Sequence, residues 1–133
     1  MSYANDFIGG KDRGLKFNQF AAQEFSLNYT RHEKMAADNP DLFFLYNIFY
    51  SGLAGNCKAK GEEIEFTIYD IVDWIDELYD NRKDEVIHKV VGVFKASRVW
   101  EDMVQAVKQK AGDKKKESAK PIKKKSSSTG KTT

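Results

Sequence analysis

Cysteine, proline and histidine are scarce in this chain of 133 residues, with one, two and two copies respectively. A lone Cys57 forms no intrachain disulfide and cannot close a cysteine-rich zinc site. Long hydrophobic runs are also missing. The most apolar stretch, Leu42 to Tyr50, is interrupted by Asn47 and is about half of the roughly 20 residues that a bilayer requires, so no membrane association is expected. No basic region followed by an apolar run opens the chain, so a secretory leader is not expected either. The last 23 residues, Ala111 to Thr133, contain none of the aromatics and only one aliphatic residue larger than alanine, Ile122. Such a segment cannot offset roughly 1–2 kcal/mol of backbone ordering entropy per residue. Residues 111–133 are therefore expected to be a disordered Lys/Ser-rich tail.

Charge divides at the same place. The tail carries eight lysines against two acids and the first 110 residues carry 14 basic against 18 acidic side chains, so a body of −4 and a tail of +6 hide behind a net +2. About 110 residues suffice for one domain with a real core.

The body reads as all-α, with about four helices. Residues 1–14, with Gly9, Gly10 and Gly14, read as a flexible N-terminal arm, and 15–110 as the helical domain. Phe17, Phe20, Ala21 and Phe25 recur at helical spacing and predict a first helix near 17–34. Asn39-Pro40-Asp41 is a restart signal: Asn39 can cap free amides, Pro40 suits the first helical position and Asp41 complements the positive helix end. Leu42, Leu45, Tyr46, Phe49 and Leu53 then mark one face, with Phe43 and Tyr50 beside it, in a helix expected at the centre of the core. Gly52, Gly55, Asn56 and Gly61 read as its break. Thr67 and Asp70 form a capping-box pattern, and Ile68, Ile71, Val72, Ile75, Leu78 and Tyr79 predict a third helix over 68–80. Val86, Val90, Val93, Ser97, Trp100, Val104 and Val107 alternate spacings of four and three. They predict a long C-terminal helix of up to roughly 26 residues, about 40 Å, with Gly92 and Ser97 as places for a bend or restart.

Catalytic chemistry finds little support. His32 and His88 are 56 positions apart, and His88 sits beside the valine stripe as a structural histidine would. Nothing near Cys57 marks an activated nucleophile. Thr129-Gly130-Lys131-Thr132 imitates the end of a phosphate-binding loop, but Lys125 stands where the motif needs glycine. No catalytic residue, cofactor or metal is expected. Asp73, Asp76, Glu77 and Asp80 share one side of the third helix; carboxylates on a polar face are normally solvated, and the functional alternative is a docking surface for a basic partner or the chain's own tail. Trp74 falls among core positions. Trp100, with Val104 and Val107, lies on the terminal stripe and is the better candidate for a partner or for self-association. The lysines would attract DNA or RNA by counterion release, but no specific nucleic-acid motif accompanies them.

Three segments in order carry a family resemblance. They are Arg13-Gly14-Leu15-Lys16-Phe17-Asn18-Gln19-Phe20, Tyr50-Ser51-Gly52-Leu53-Ala54-Gly55-Asn56-Cys57 and Phe66-Thr67-Ile68-Tyr69-Asp70-Ile71-Val72-Asp73-Trp74-Ile75-Asp76. With the valine-rich helix they cover roughly residues 13–107, and the arrangement resembles the tail assembly chaperones of long-tailed bacteriophages. That resemblance implies a small, mostly helical, non-catalytic protein of the host cell cytoplasm that binds the tape measure protein and helps recruit tail tube protein. It also implies short and frameshift-extended products, and the adenine-rich codons of Lys114–Lys116 and Lys123–Lys125 are where a slippery site would fall. The competing readings are a nucleic-acid-associated accessory protein anchored by its basic tail, and an unrelated helical adaptor.

Overall fold

Gly9 and Gly10 sit at φ 61° and 84°, the paired positive values of a type I′ turn, which glycine reaches without a Cβ penalty. The turn closes a hairpin. The computed structural model describes residues 3–78, 80–102 and 105, with the backbone alone at 80 and 81. It pairs β1 (Tyr3–Ile8) antiparallel with β2 (Lys11–Lys16), from Tyr3 opposite Lys16 to Ile8 opposite Lys11. Ala4, Ile8 and Leu15 face inward and are buried, while Tyr3, Asn5 and Phe7 alternate outward. The expected flexible arm is thus a strand pair packed on the body, and the all-α reading is corrected to a mostly helical fold with a two-stranded sheet.

The helices described are α1 (Gln19–Arg31), α2 (Glu33–Asp38), α3 (Pro40–Ala59), α4 (Ile68–Asp76) and α5 (Asp80–Ala96). Asn18 starts α1 by accepting the Ala21 amide at 2.9 Å, and the expected single helix over 17–34 divides at His32. Phe20, expected on the inner face, is 44% exposed. Pro40 occupies the start of α3, but the Asn39 side chain makes no capping bond.

α3 is the central element, packing on α1, β2 and α4. Its face is rotated from the expected one: Leu42 is exposed, whereas every residue from Asn47 to Asn56 is buried. Nor do Gly52 and Gly55 break it. A Cβ at Gly52 would lie 2.8 Å from the Phe17 ring, and one at Gly55 would overlap the Lys16 carbonyl oxygen and stand 2.9 Å from the Ala21 Cβ. These glycines let β2 and the start of α1 lie directly on the helix. The chain turns only at Gly61, φ 72°.

α4 begins with the expected capping box: Asp70 N–H donates to Thr67 Oγ1 at 3.3 Å and Thr67 N–H to Asp70 Oδ2 at 2.9 Å. Ile68, Ile71 and Ile75 are buried, and the helix ends at Asp76 rather than at 80. α5 runs without interruption through Gly92 to Ala96. There the Ser97 hydroxyl and amide both donate to the Phe94 carbonyl, at 2.6 and 3.1 Å, and the chain turns before restarting at Trp100. The long terminal helix is therefore interrupted at one of its two expected places. Val104, Val107 and the tail 111–133 lie outside the described residues.

Phe94 anchors α5 among Phe17 and Phe25, with ring centroids 5.4 and 6.0 Å away; each such fully buried ring contributes about 1.5–3 kcal/mol. α5 also fastens β1. Arg82 donates to the Phe7 carbonyl at 2.8 Å and Lys89 to the Asn5 carbonyl at 2.9 Å, so side chains cover acceptors on the strand's outer edge.

Candidate functional site

The three segments of the family resemblance, separate in sequence, meet in one junction. Asn18 Nδ2 donates to the Gly55 carbonyl at 3.1 Å. The Tyr50 ring meets the Phe66 ring edge-on at 5.3 Å. Arg13 lies 4.2 Å above the Trp74 ring while its Nε donates to the Ile8 carbonyl at 2.7 Å. Trp74 in turn presses on the hairpin turn, where a Cβ at Gly9 would come 2.5 Å from the indole. The segments therefore hold β2, α3 and α4 together.

Beside this junction, α1 and α3 share a buried polar chain. Asn28 and Asn47 are both fully buried; Asn28 Nδ2 donates to Asn47 Oδ1 at 2.7 Å, and Asn47 Nδ2 to the Phe25 carbonyl at 2.8 Å. Glu24, 3% exposed, accepts from Arg31 at 2.7 Å and from Lys58 at 2.9 Å. Burial alone would raise the Glu24 carboxyl, but the hydrogen bonds and charges of Arg31 and Lys58 outweigh it and leave it below its ordinary value. The interactions fix the rotation of α1 on α3, because a half-paired network in a low-dielectric interior is costly.

That rotation decides what α1 shows to solvent. Glu24 is the only charged residue from Gln19 to Thr30, and it is turned inward. The outward positions Gln19, Phe20, Gln23, Ser26 and Leu27 are all uncharged, with Phe20 and Leu27 44% and 41% exposed. A groove of about 460 Å³ runs along this face, with Asp102 on its other wall. In a chain of which 32% is charged, a neutral helix face bearing two large apolar side chains has the composition of an interface core. Sequence reasoning missed it by assigning Phe20 to the inside.

The residues singled out from the sequence are dispersed. Asp73 and Asp76 are exposed on α4 and Glu77 is exposed at its C-terminal cap, whereas position 80 opens α5, so the four positions do not share one helix. Trp100 is half-buried, its ring 6.4 Å from Phe94. Val90, on the same predicted stripe as Trp100, is fully buried in the core.

Other reactive groups are unremarkable. Burial raises the Cys57 thiol and the Glu62 charge adds to the effect, which disfavours the nucleophilic thiolate. His32 lies between the Phe43 and Tyr69 rings, its imidazole pushed below the ordinary value by burial and then by Arg31. His88, expected against the valine stripe, is exposed. Among the described residues no group of three His, Cys, Asp or Glu side chains is placed to hold a metal ion, and no helix is long and apolar enough to cross a membrane.

These features define a small helical scaffold strapped by an N-terminal hairpin, with one neutral helix face on its surface. No family model, curated protein or solved structure matches the chain.

Proposed function

We propose that the protein is a non-catalytic tail assembly chaperone of a long-tailed bacteriophage, acting in the host cell cytoplasm. It binds the tape measure protein, keeps its long apolar helices soluble and helps recruit tail tube protein. The observation that carries this reading is the junction of the three resembling segments: Asn18 on Gly55, Tyr50 on Phe66 and Arg13 on Trp74. A likeness confined to unrelated surface stretches would have no reason to interlock. The exposed carboxylates Asp73, Asp76 and Glu77 of α4 and its cap are the proposed contact for a basic flank of the client, and half-buried Trp100, against Phe94, is a separate proposed contact for an apolar one.

The test is co-expression of the full chain with the tape-measure-like protein encoded by the same phage. The expected result is transfer of that protein from the insoluble to the soluble fraction and co-purification with the chain. A folded chain, verified by circular dichroism, that leaves its partner insoluble and unbound refutes the reading.

A further inference from the structure

We propose that the joint between α1 and α2 is a hinge held shut by the uncharged His32 imidazole, and that protonating this ring releases α2 and uncovers Phe43. The inference concerns a conformational device of the fold and does not rest on the chaperone reading.

One residue makes the joint. The His32 N–H donates to the Asn28 carbonyl at 2.9 Å and closes α1, while its own carbonyl accepts from the Ala36 N–H at 3.0 Å and opens α2. Its φ of −126° and ψ of 46° are not helical, so the change of direction falls on a single pair of dihedrals, as it does at a hinge. What lies beyond the joint is thinly attached. None of the six residues of α2 is buried, Met35 and Ala36 being half-buried, and the ion pair of α2, Lys34 with Asp38 at 3.4 Å, is internal to it. The His32 ring reaches two other helices, its centroid 6.4 Å from Phe43 on α3 and 5.7 Å from Tyr69 on α4. Phe43 is fully buried and Tyr69 is 60% exposed, so the imidazole stands between a core ring and a surface one.

A charge on that imidazole finds no partner. Among the described residues the ring makes no hydrogen bond and no ion pair. Burial disfavours its cation most, and Arg31 at the end of α1 repels it. On α2, Glu33 is exposed and Lys34 is exposed beside Asp38; on α3, Asp41 is exposed. On α4, Asp73 is exposed and Asp70 accepts from the Thr67 N–H at 2.9 Å. Solvent screens the exposed carboxylates. Opening α2 returns His32 to water, where an imidazole has its ordinary value of about 6.5. The closed state thus binds the proton less tightly than the open one, so closure is fully favoured above about 6.5 and weakens as pH falls through it. At about pH 5.5 opening is enhanced by at most about tenfold, the ratio of charged to neutral imidazole in the open state.

Nuclear magnetic resonance of the full chain from about pH 8 to about pH 5.5, a range in which imidazole is the side chain that ordinarily titrates, tests the proposal. His88→Gln, at an exposed position, leaves His32 as the single imidazole. Its midpoint is expected below about 6.5. The amide signals of residues 33–38 are expected to move toward coil positions and the Phe43 ring signals to shift together with them, while the amides of α5 stay in place. His32→Phe in the same background keeps an aromatic ring that takes no proton, and its α2 is expected to stay docked across the range. A midpoint at or above about 6.5 would mean that the two rings hold the cation better than water does, and it overturns the proposal. So do α2 signals that stay fixed while His32 titrates, α2 signals that still move in His32→Phe, and α5 signals that move with those of α2, which would be general unfolding.

Discussion

Two glycine-to-alanine substitutions inside helices are expected to move stability in opposite directions. At Gly92, exposed in α5, a Cβ meets nothing within 4 Å. Alanine there gains the helix propensity that glycine forfeits, about 0.5–1 kcal/mol. At Gly55 the same propensity gain of about 1 kcal/mol is set against a Cβ that overlaps the Lys16 carbonyl and crowds Asn18 Oδ1 and Ala21 Cβ at 2.8 and 2.9 Å. The obstacle is backbone, which cannot swing aside as a side chain does, so the overpacking cost is at the upper end of about 1–3 kcal/mol. Separating α3 from β2 also loosens the Asn18 cap and its bond to the Gly55 carbonyl, a further loss of about 1 kcal/mol. The net for Gly55→Ala is destabilisation by about 1–3 kcal/mol. At about 4–8 °C per kcal/mol for a domain of this size, its melting temperature falls by about 5–20 °C while that of Gly92→Ala rises by a few degrees. Thermal melts of both variants followed by circular dichroism measure the contrast. A Gly55→Ala protein as stable as wild type would mean that α3 and β2 do not approach as described.

Glu24→Gln is expected to lower stability by about 1–3 kcal/mol at pH 7, because it leaves Arg31 and Lys58 without their shared carboxylate. Since the folded carboxyl is held below its ordinary value, the stabilisation is complete above the ordinary carboxylate value of about 4.3 and is lost as pH falls through the lower folded value. Urea titrations from pH 7 to pH 3 should show the two proteins converging; a constant gap would contradict the network's electrostatic role. Asn47→Leu removes the acceptor of Asn28 and the donor to the Phe25 carbonyl, stranding both groups in a dry interior at a cost of about 2–4 kcal/mol. A urea midpoint equal to wild type would show that the amide pair does not set the register of α1 on α3.

Where local chemistry decides structure, the sequence is readable. The Thr67–Asp70 box places the start of α4, Pro40 the start of α3 and Ser97 the interruption after α5, since each acts locally: the box and Ser97 through bonds three positions away, and Pro40 through its fixed φ and missing N–H. The errors share a cause: a glycine states a freedom and not its use. Gly9-Gly10 reads as slack by composition, although two adjacent glycines between alternating inward and outward residues are a type I′ hairpin signal. Gly52 and Gly55 read locally as a helix end, although their role is to admit Phe17 and Lys16, which lie more than 30 positions earlier. Nothing short-range encodes that approach. The neutral face of α1 is visible in composition once the direction of Glu24 is known, but that direction depends on Lys58, 34 residues away in the sequence. Helical spacing likewise placed Leu42 inside, whereas packing turned α3 toward the side on which its glycines and asparagines lie.

The attachment of β1 to Arg82 and Lys89, across sequence separations of 75 and 84, bears on how the molecule is born. During translation the hairpin leaves the ribosome long before α5 exists, so its outer carbonyls must wait, hydrated and open to other chains, for residues synthesised much later. Completion of the body is thereby tied to a late event, and growth of the polypeptide rather than hairpin closure sets the moment at which the newborn protein becomes sealed.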